Sequence, residues 1–236
     1  RRSKEIDPTR SETLQRYANV LLKLGREEAG EAHKAALAVA PEHVPTIAGY
    51  AMLLKKQEKY DAADKLYRQA LKLNPNSSVL ACNYGSLLWD WYEDEEEALK
   101  WYRTAQAIDP SNPEVYLRRG EIYEDHHIDL ESAIDFYCEA SERSTSAEGY
   151  VRAAYINLMA YNNTAKAYAL YEKAWKLDPL HAPAARGFAA MVATLEGPRQ
   201  SLPLYRKALR LQPTDANARG ELADVCQLCG KYDEAE

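Results

Sequence analysis

A proline returns at a nearly fixed interval along this chain. The phrases Ile6-Asp7-Pro8, Val39-Ala40-Pro41, Leu73-Asn74-Pro75, Ile108-Asp109-Pro110, Leu177-Asp178-Pro179 and Leu211-Gln212-Pro213 place the prolines 33, 34, 35, 69 and 34 residues apart. The interval of 69 is a doubled period, so one proline is skipped and the register survives. A unit of this size is too small to bury a hydrophobic face alone, and its repetition means that neighbouring units stack to make one continuous core.

Upstream of each proline runs an alanine–tyrosine–alanine ladder: Ala63, Tyr67, Ala70; Ala98, Tyr102, Ala105; Ala133, Tyr137, Ala140; Ala167, Tyr171, Ala174. Steps of four and three put each set on one face of a helix. The preceding segments carry a second helical stripe: Ile47, Tyr50, Ala51, Leu54; Ala81, Tyr84, Gly85, Leu88; Tyr116, Gly120, Tyr123; Val151, Ala154, Tyr155, Leu158. Each unit is therefore two helices. Ala or Gly lets them approach while the neighbouring ring fills the space above. Turn residues such as Leu24-Gly25-Arg26, Glu58-Lys59-Tyr60 and Gly230-Lys231-Tyr232-Asp233 separate the helices of a pair. Apolar residues make up 46% of the chain against 28% charged, with 10 glycines and 11 prolines, a balance that can bury a core. Seventeen tyrosines against two phenylalanines suit a thin two-layer structure, where a buried ring can keep its hydroxyl at an edge.

These residues resemble the tetratricopeptide repeat family: aromatic, Leu-Gly, Tyr, Ala, aromatic, Ala and Pro at a 34-residue period over almost the whole chain. The resemblance implies an all-α fold, a right-handed α-solenoid (superhelix) of tandem helix–turn–helix units. The units are expected near 11–41, 42–75, 76–110, 111–145, 146–179, 180–213 and a truncated 214–236, with residues 1–10 as the tail of a preceding repeat. Both ends read as cut, so the middle of a longer repeat protein is expected. Local departures are His33 where an aromatic ring is usual, Ser201 for alanine, and Pro203, which a helix tolerates only in its first turn. The junction from Ser141 to Glu148 lacks its proline and is expected to be looser or longer.

Candidate chemistry is sparse. The acidic turn Glu93–Glu97 lacks the spaced ligands and glycine of a calcium loop and reads as a solvated turn that favours the following helix N-terminus. Asp125, His126, His127 and Asp129 fall in a turn with no second ligand set nearby, and Cys226 and Cys229 lie on a first helix without partner ligands. No metal, cofactor or catalytic residue is expected, since phosphate loops, nucleophile elbows and His-Glu-x-x-His motifs are missing from the sequence. Thirty basic against 36 acidic residues, a net charge of −6, disfavour nucleic acid as principal partner. No apolar run approaches the roughly 20 residues that span a bilayer. Four cysteines, two of them close together at Cys226 and Cys229, do not make the dense framework of a small secreted domain and fit a reducing, cytoplasmic compartment, with nuclear or organelle-associated complexes also admitted.

The family resemblance implies a groove lined by first helices, which accepts a peptide or helix of a partner protein. By helical offset from the core stripe, the partner-binding residues are Met52, Lys55, Asn83, Ser86, Trp89, Leu117, Arg118, Glu121, Arg152, Ile156 and Arg186. Their mixture of apolar and charged side chains favours an apolar segment with charges of both signs, an amphipathic helix being one form. Co-chaperone members of the family grip an acidic C-terminal tail with a two-carboxylate clamp. Here the clamp positions hold Ala48, Met52, Asn83, Glu114 and Arg118, of which two match, and Glu114 repels a carboxylate. Such a tail is an unlikely ligand. The readings are a protein-interaction scaffold, the repeat arm of a larger glycosyltransferase- or phosphatase-like enzyme, or a structural subunit. The glycosyltransferase-like asparagine ladder survives only at Asn83, with Gly49, Arg118, Ala153 and Gly187 elsewhere.

Overall fold

The computed structural model describes residues 8–125 and 129–230. Ile6 and Asp7 of the first proline phrase, His126 and His127, and the segment Tyr232–Glu236 lie outside them. Thirteen α-helices and no strand occur among the described residues. In chain order they are α1 (Pro8–Lys23), α2 (Ala29–Val39), α3 (Val44–Lys56), α4 (Tyr60–Leu73), α5 (Ser78–Tyr92), α6 (Glu95–Ile108), α7 (Pro113–Asp125), α8 (Leu130–Glu142), α9 (Glu148–Met159), α10 (Thr164–Leu177), α11 (Ala182–Leu195), α12 (Pro198–Leu211) and α13 (Ala216–Leu228). They divide into two compact units, residues 1–115 and 116–236. In the first, consecutive helices pack as antiparallel neighbours and the odd-numbered helices also touch, α1 on α3 and α3 on α5. The second repeats this with α9 on α11 and α11 on α13.

The prolines set where helices stop. A residue before proline is driven out of the α region by the pyrrolidine ring. Accordingly Ala40, Asn74, Asp109, Asp178 and Gln212, each followed by proline, share φ between −134° and −141° and ψ between 82° and 96°. At the junction without a proline, Arg143 instead takes φ −95°, ψ 1°. In the helix pairs whose turns are described, one residue of the turn has positive φ: Gly25, Glu58, Glu93, Asn162 and Gly197; Gly230 does the same after α13. The next helix then starts on a side-chain cap in several cases. Ser77, Asp94, Asp129, Asn163, His181 and Asp215 each accept a hydrogen bond from a backbone N–H in the first turn.

All twelve residues of the alanine–tyrosine ladder are buried, Tyr67, Tyr102 and Tyr137 completely enough to expose 1% or less. Facing them are small residues on first helices. A Cβ added to Gly85 would meet the Tyr102 ring at 2.9 Å, one on Gly120 the Tyr137 ring at 2.7 Å, and one on Gly187 the Tyr171 ring at 2.1 Å. The ring thus occupies the volume that a larger residue would need.

Of the two local expectations, the one for the proline-free junction holds in one of its alternatives and the one for Pro203 is corrected. The junction without proline, residues 143–147, has five residues where the other junctions between pairs have four. It is longer but not looser: a Cβ on Gly149 would lie 2.0 Å from the Tyr137 carbonyl oxygen, and the buried Ser141 hydroxyl accepts the Tyr150 backbone N–H at 3.0 Å. Pro203 does not sit in a first turn. α12 starts at Pro198, where the repeat period puts it, so Pro203 is its sixth residue, on an exposed face where the missing N–H deprives only Arg199 of a backbone partner.

Candidate functional site

The side chains singled out from sequence lie on α3, α5, α7, α9 and α11, the odd-numbered layer. In the first unit, Met52 on α3 is 46% exposed. Lys55, one turn on, ion-pairs across to Asp90 of α5 at 2.8 Å, which joins the two first helices. On α5, Asn83 and Trp89 are half-buried. Ser86 is not on the surface: it is buried, and its hydroxyl pairs with the Tyr102 hydroxyl at 3.0 Å. Val79, which the helical offset did not select, is exposed.

In the second unit the charged residues converge. The Arg152 guanidinium of α9 lies 3.0 Å from Glu148 on its own helix, 3.4 Å from Glu121 and 3.5 Å from Glu124 on α7. It also stands 5.7 Å from the centre of the Tyr137 ring and donates to that hydroxyl at 3.4 Å. Arg118 pairs with Glu121 at 2.7 Å, and Tyr137 donates to Glu124 at 2.5 Å. Burial works against the Arg152 charge, yet Glu148, Tyr137 and Glu121 outweigh it and hold the group more firmly protonated than usual. Glu148 is also approached by His181 Nε2 at 3.4 Å. The hydrogen bond from His181, then the Arg152 guanidinium, hold its carboxyl down at about 2. Further along, Arg186 of α11 lies 3.6 Å from both Asp215 and Glu221. Burial raises the Glu221 carboxyl above the ordinary range against the opposing pull of the Arg186 guanidinium and the Tyr205 phenol, and its Oε2 is buried without a hydrogen-bond partner.

Of these groups Glu124, Glu148, Arg152, Arg186 and Glu221 line a cavity of about 490 Å³ between α9 and α11, walled by Val151, Tyr155 and Leu158 of α9, Gly187, Ala190 and Met191 of α11, and Tyr171. Tyr155 is 53% exposed and Met159 65% exposed. Ile156, by contrast, exposes 4% and packs with Ala133, Tyr137 and Ala153, while Leu117 is half-buried against the same cluster. On α9 the offset from sequence is therefore one position out: Tyr155, read as core, takes the surface place assigned to Ile156. Sequence reasoning also passed over Glu148, whose i,i+4 spacing from Arg152 was a usable signal, and Glu221, for which the sequence gives none.

Among the described residues no group of three or more His, Cys, Asp or Glu side chains is arranged to hold a metal ion. Asp94 and Asp129 are spent as helix caps, and Cys226 is buried in a core cluster with Cys229 half-buried against it. No helix among the described residues is long and apolar enough to cross a membrane.

Comparison with known proteins gives three family matches. Residues 46–77 and 204–236 each match a model described as tetratricopeptide repeat, and residues 94–126 one described as TPR repeat. No curated protein gives a significant match. Among solved structures, yeast Tom70 aligns with a TM-score of 0.75 and 20% identity over 94% of this chain and 47% of its own. The APC/C hetero-tetramer Cut9–Hcn1 aligns with 0.64 and 14% over 91% and 42%. The C-terminal part of a TPR repeat-containing protein from Cytophaga hutchinsonii aligns with 0.61 and 20% over 94% and 91%. This chain thus spans less than half the length of the first two. At such identities the shared property is the fold.

Proposed function

The chain belongs to the tetratricopeptide repeat family, and from that premise we propose that it is a protein-interaction scaffold whose first helices hold a peptide or helix of a partner protein. The observation that carries the reading is the set of apolar side chains left exposed on this layer: Met52 and Val79 in the first unit, Tyr155 and Met159 in the second. Their second-helix counterparts on the ladder are buried. Apolar groups kept in water beside organised charges mark a contact surface, and the mixture suits a segment with apolar and charged faces. Cut9–Hcn1, a hetero-tetramer of two kinds of chain, is a precedent for the fold in an assembly.

An acidic C-terminal tail fits poorly. Arg118, one of the two matching clamp positions, is paired with Glu121 at 2.7 Å, and Glu114 stands where a second cation is required. The units counted from sequence, from 11–41 through the truncated 214–236, and a cytoplasmic setting are part of the same proposal.

The test is selection of displayed 12-residue peptides on the whole chain, followed by binding to Met52→Ser, Trp89→Ala and Tyr155→Ser variants. Loss of at least tenfold in affinity in one of the variants, with unchanged helicity, is expected, because a central aromatic or apolar anchor carries a disproportionate share of binding. Raised salt should weaken binding only partly. Selected peptides whose binding ignores all three substitutions would remove the reading.

A further inference from the structure

We propose that the cavity between α9 and α11 receives one cationic side chain, a guanidinium or ammonium on its aliphatic stem, carried by the partner segment. This rests on the reading that the first-helix layer holds a partner, and it names the chemistry of one contact.

Charge decides the sign. The inner face of the second unit carries Glu121, Glu124, Glu148, Asp215 and Glu221 against Arg118, Arg152 and Arg186. The three guanidinium groups are each held by carboxylates of this chain, Arg152 by three of them. His181 is turned to Glu148. An incoming carboxylate would have to displace one of these pairs and would face the surplus of negative charge. An incoming cation meets that surplus directly.

A second observation fixes the place. Glu221 borders the cavity, and its Oε2 is buried with no hydrogen-bond partner. A buried acceptor without a donor is costly, and an N–H brought to it recovers that cost as binding free energy. The walls suit the stem rather than a second charge. Val151, Leu158 and Met191 are apolar, and the half-exposed Tyr155 ring also lines the cavity, an aromatic face being attractive to a cation. At about 490 Å³ the space lies toward the small end of ligand sites, roughly 300–1,000 Å³. It has room for a long side chain and not for a helix.

The experiment titrates the isotope-labelled whole chain with N-acetyl-arginine amide, N-acetyl-lysine amide, N-acetyl-norleucine amide and N-acetyl-glutamate amide, following backbone resonances. Saturable shifts at Tyr155, Gly187 and Ala190 are expected with arginine or lysine, about tenfold weaker with norleucine and undetectable with glutamate, one charge-assisted hydrogen bond being worth about tenfold. Glu221→Gln, which preserves shape, should weaken the cationic probe by a similar factor and leave norleucine unchanged. Tyr155→Leu should weaken it by a smaller factor. Norleucine or glutamate binding as well as arginine, or indifference of the cationic probes to Glu221→Gln, would overturn the proposal. Failure of the broader reading is separable. Displayed peptides that depend on Tyr155 but carry no basic residue keep the scaffold and sink the cation contact. Cationic probes that bind while no displayed peptide depends on Met52, Trp89 or Tyr155 do the reverse.

Discussion

Replacing Gly149 by alanine tests the tightest feature of the fold. The added Cβ would sit 2.0 Å from the Tyr137 carbonyl oxygen, 3.0 Å from its carbon and 2.8 Å from Ser141 Oγ. The first two are backbone atoms inside α8, so no side chain can swing aside, and α9 must retreat by about an ångström to reach ordinary contact. Retreat stretches the buried hydrogen bond from Tyr150 N–H to Ser141 Oγ, now 3.0 Å. Overpacking costs about 1–3 kcal/mol and a lost buried hydrogen bond about 1 kcal/mol, against a gain of at most about 1 kcal/mol in helix propensity. The expected net loss is about 1–3 kcal/mol. Gly220→Ala is the matched control. It lies inside α13 with nothing within 4 Å of its added Cβ, so the same chemical change should stabilise by about 0.5–1 kcal/mol. Since a repeat array opens in sections, urea midpoints should be read together with hydrogen exchange over residues 137–158. Gly149→Ala as stable as the parent, with exchange unchanged there and Gly220→Ala behaving as expected, would refute the reasoning.

Two further outcomes follow from buried polar groups in the first unit. His33 is wholly buried, stacked on Tyr50 at 5.8 Å, and neither ring nitrogen has a partner; burial holds its pKa below the ordinary 6.5. The unfolded chain therefore binds the proton first, so stability is full above pH 6.5 and falls as pH drops below it. His33→Phe should remove that slope in thermal melts and stabilise the unit by about 1 kcal/mol; an unchanged slope between pH 6.5 and 5.5 would count against the assignment. Acid loss from Glu148 belongs to a lower window, between about 4.5 and 2, and should persist in that variant. Tyr102→Phe should cost about 1 kcal/mol by orphaning the Ser86 hydroxyl, and Ser86→Ala should cost little more once Tyr102 is already Phe, a coupling that a double-mutant cycle in urea measures directly. Additive single effects would show that the 3.0 Å pair is not an energetic one.

The fold was legible because its determinants are local and repeated. Proline at 41, 75, 110, 179 and 213 forces one backbone state on the residue before it, so at these five places reading the proline phrase is nearly the same as reading a helix end. The alanine–tyrosine ladder is equally direct, since spacing alone puts Tyr67, Tyr102, Tyr137 and Tyr171 on the buried face. Pro203 is the exception. α12 begins at Pro198, where the period puts it, so Pro203 falls past the first turn, and what lets the helix keep it is the exposed side on which it stands.

The surface of the odd-numbered layer was legible only in part. On α3, Met52 is exposed as expected. On α9, Tyr155 is exposed and Ile156 buried, the reverse of the expectation. Helical spacing within 148–159 does not decide between the two, because what Ile156 packs on includes Ala133 and Tyr137 of another helix. The charges obey the same rule. Arg118 with Glu121, and Glu148 with Arg152, are pairs at helical spacing and readable as such, but Arg152 with Glu121 and Glu124, or Arg186 with Asp215 and Glu221, join different helices. From sequence, Arg152 and Arg186 look like cations offered to a partner. In the structure they are already held by carboxylates of this chain, and that pairing is why the contact proposed for the cavity between α9 and α11 is with a cation.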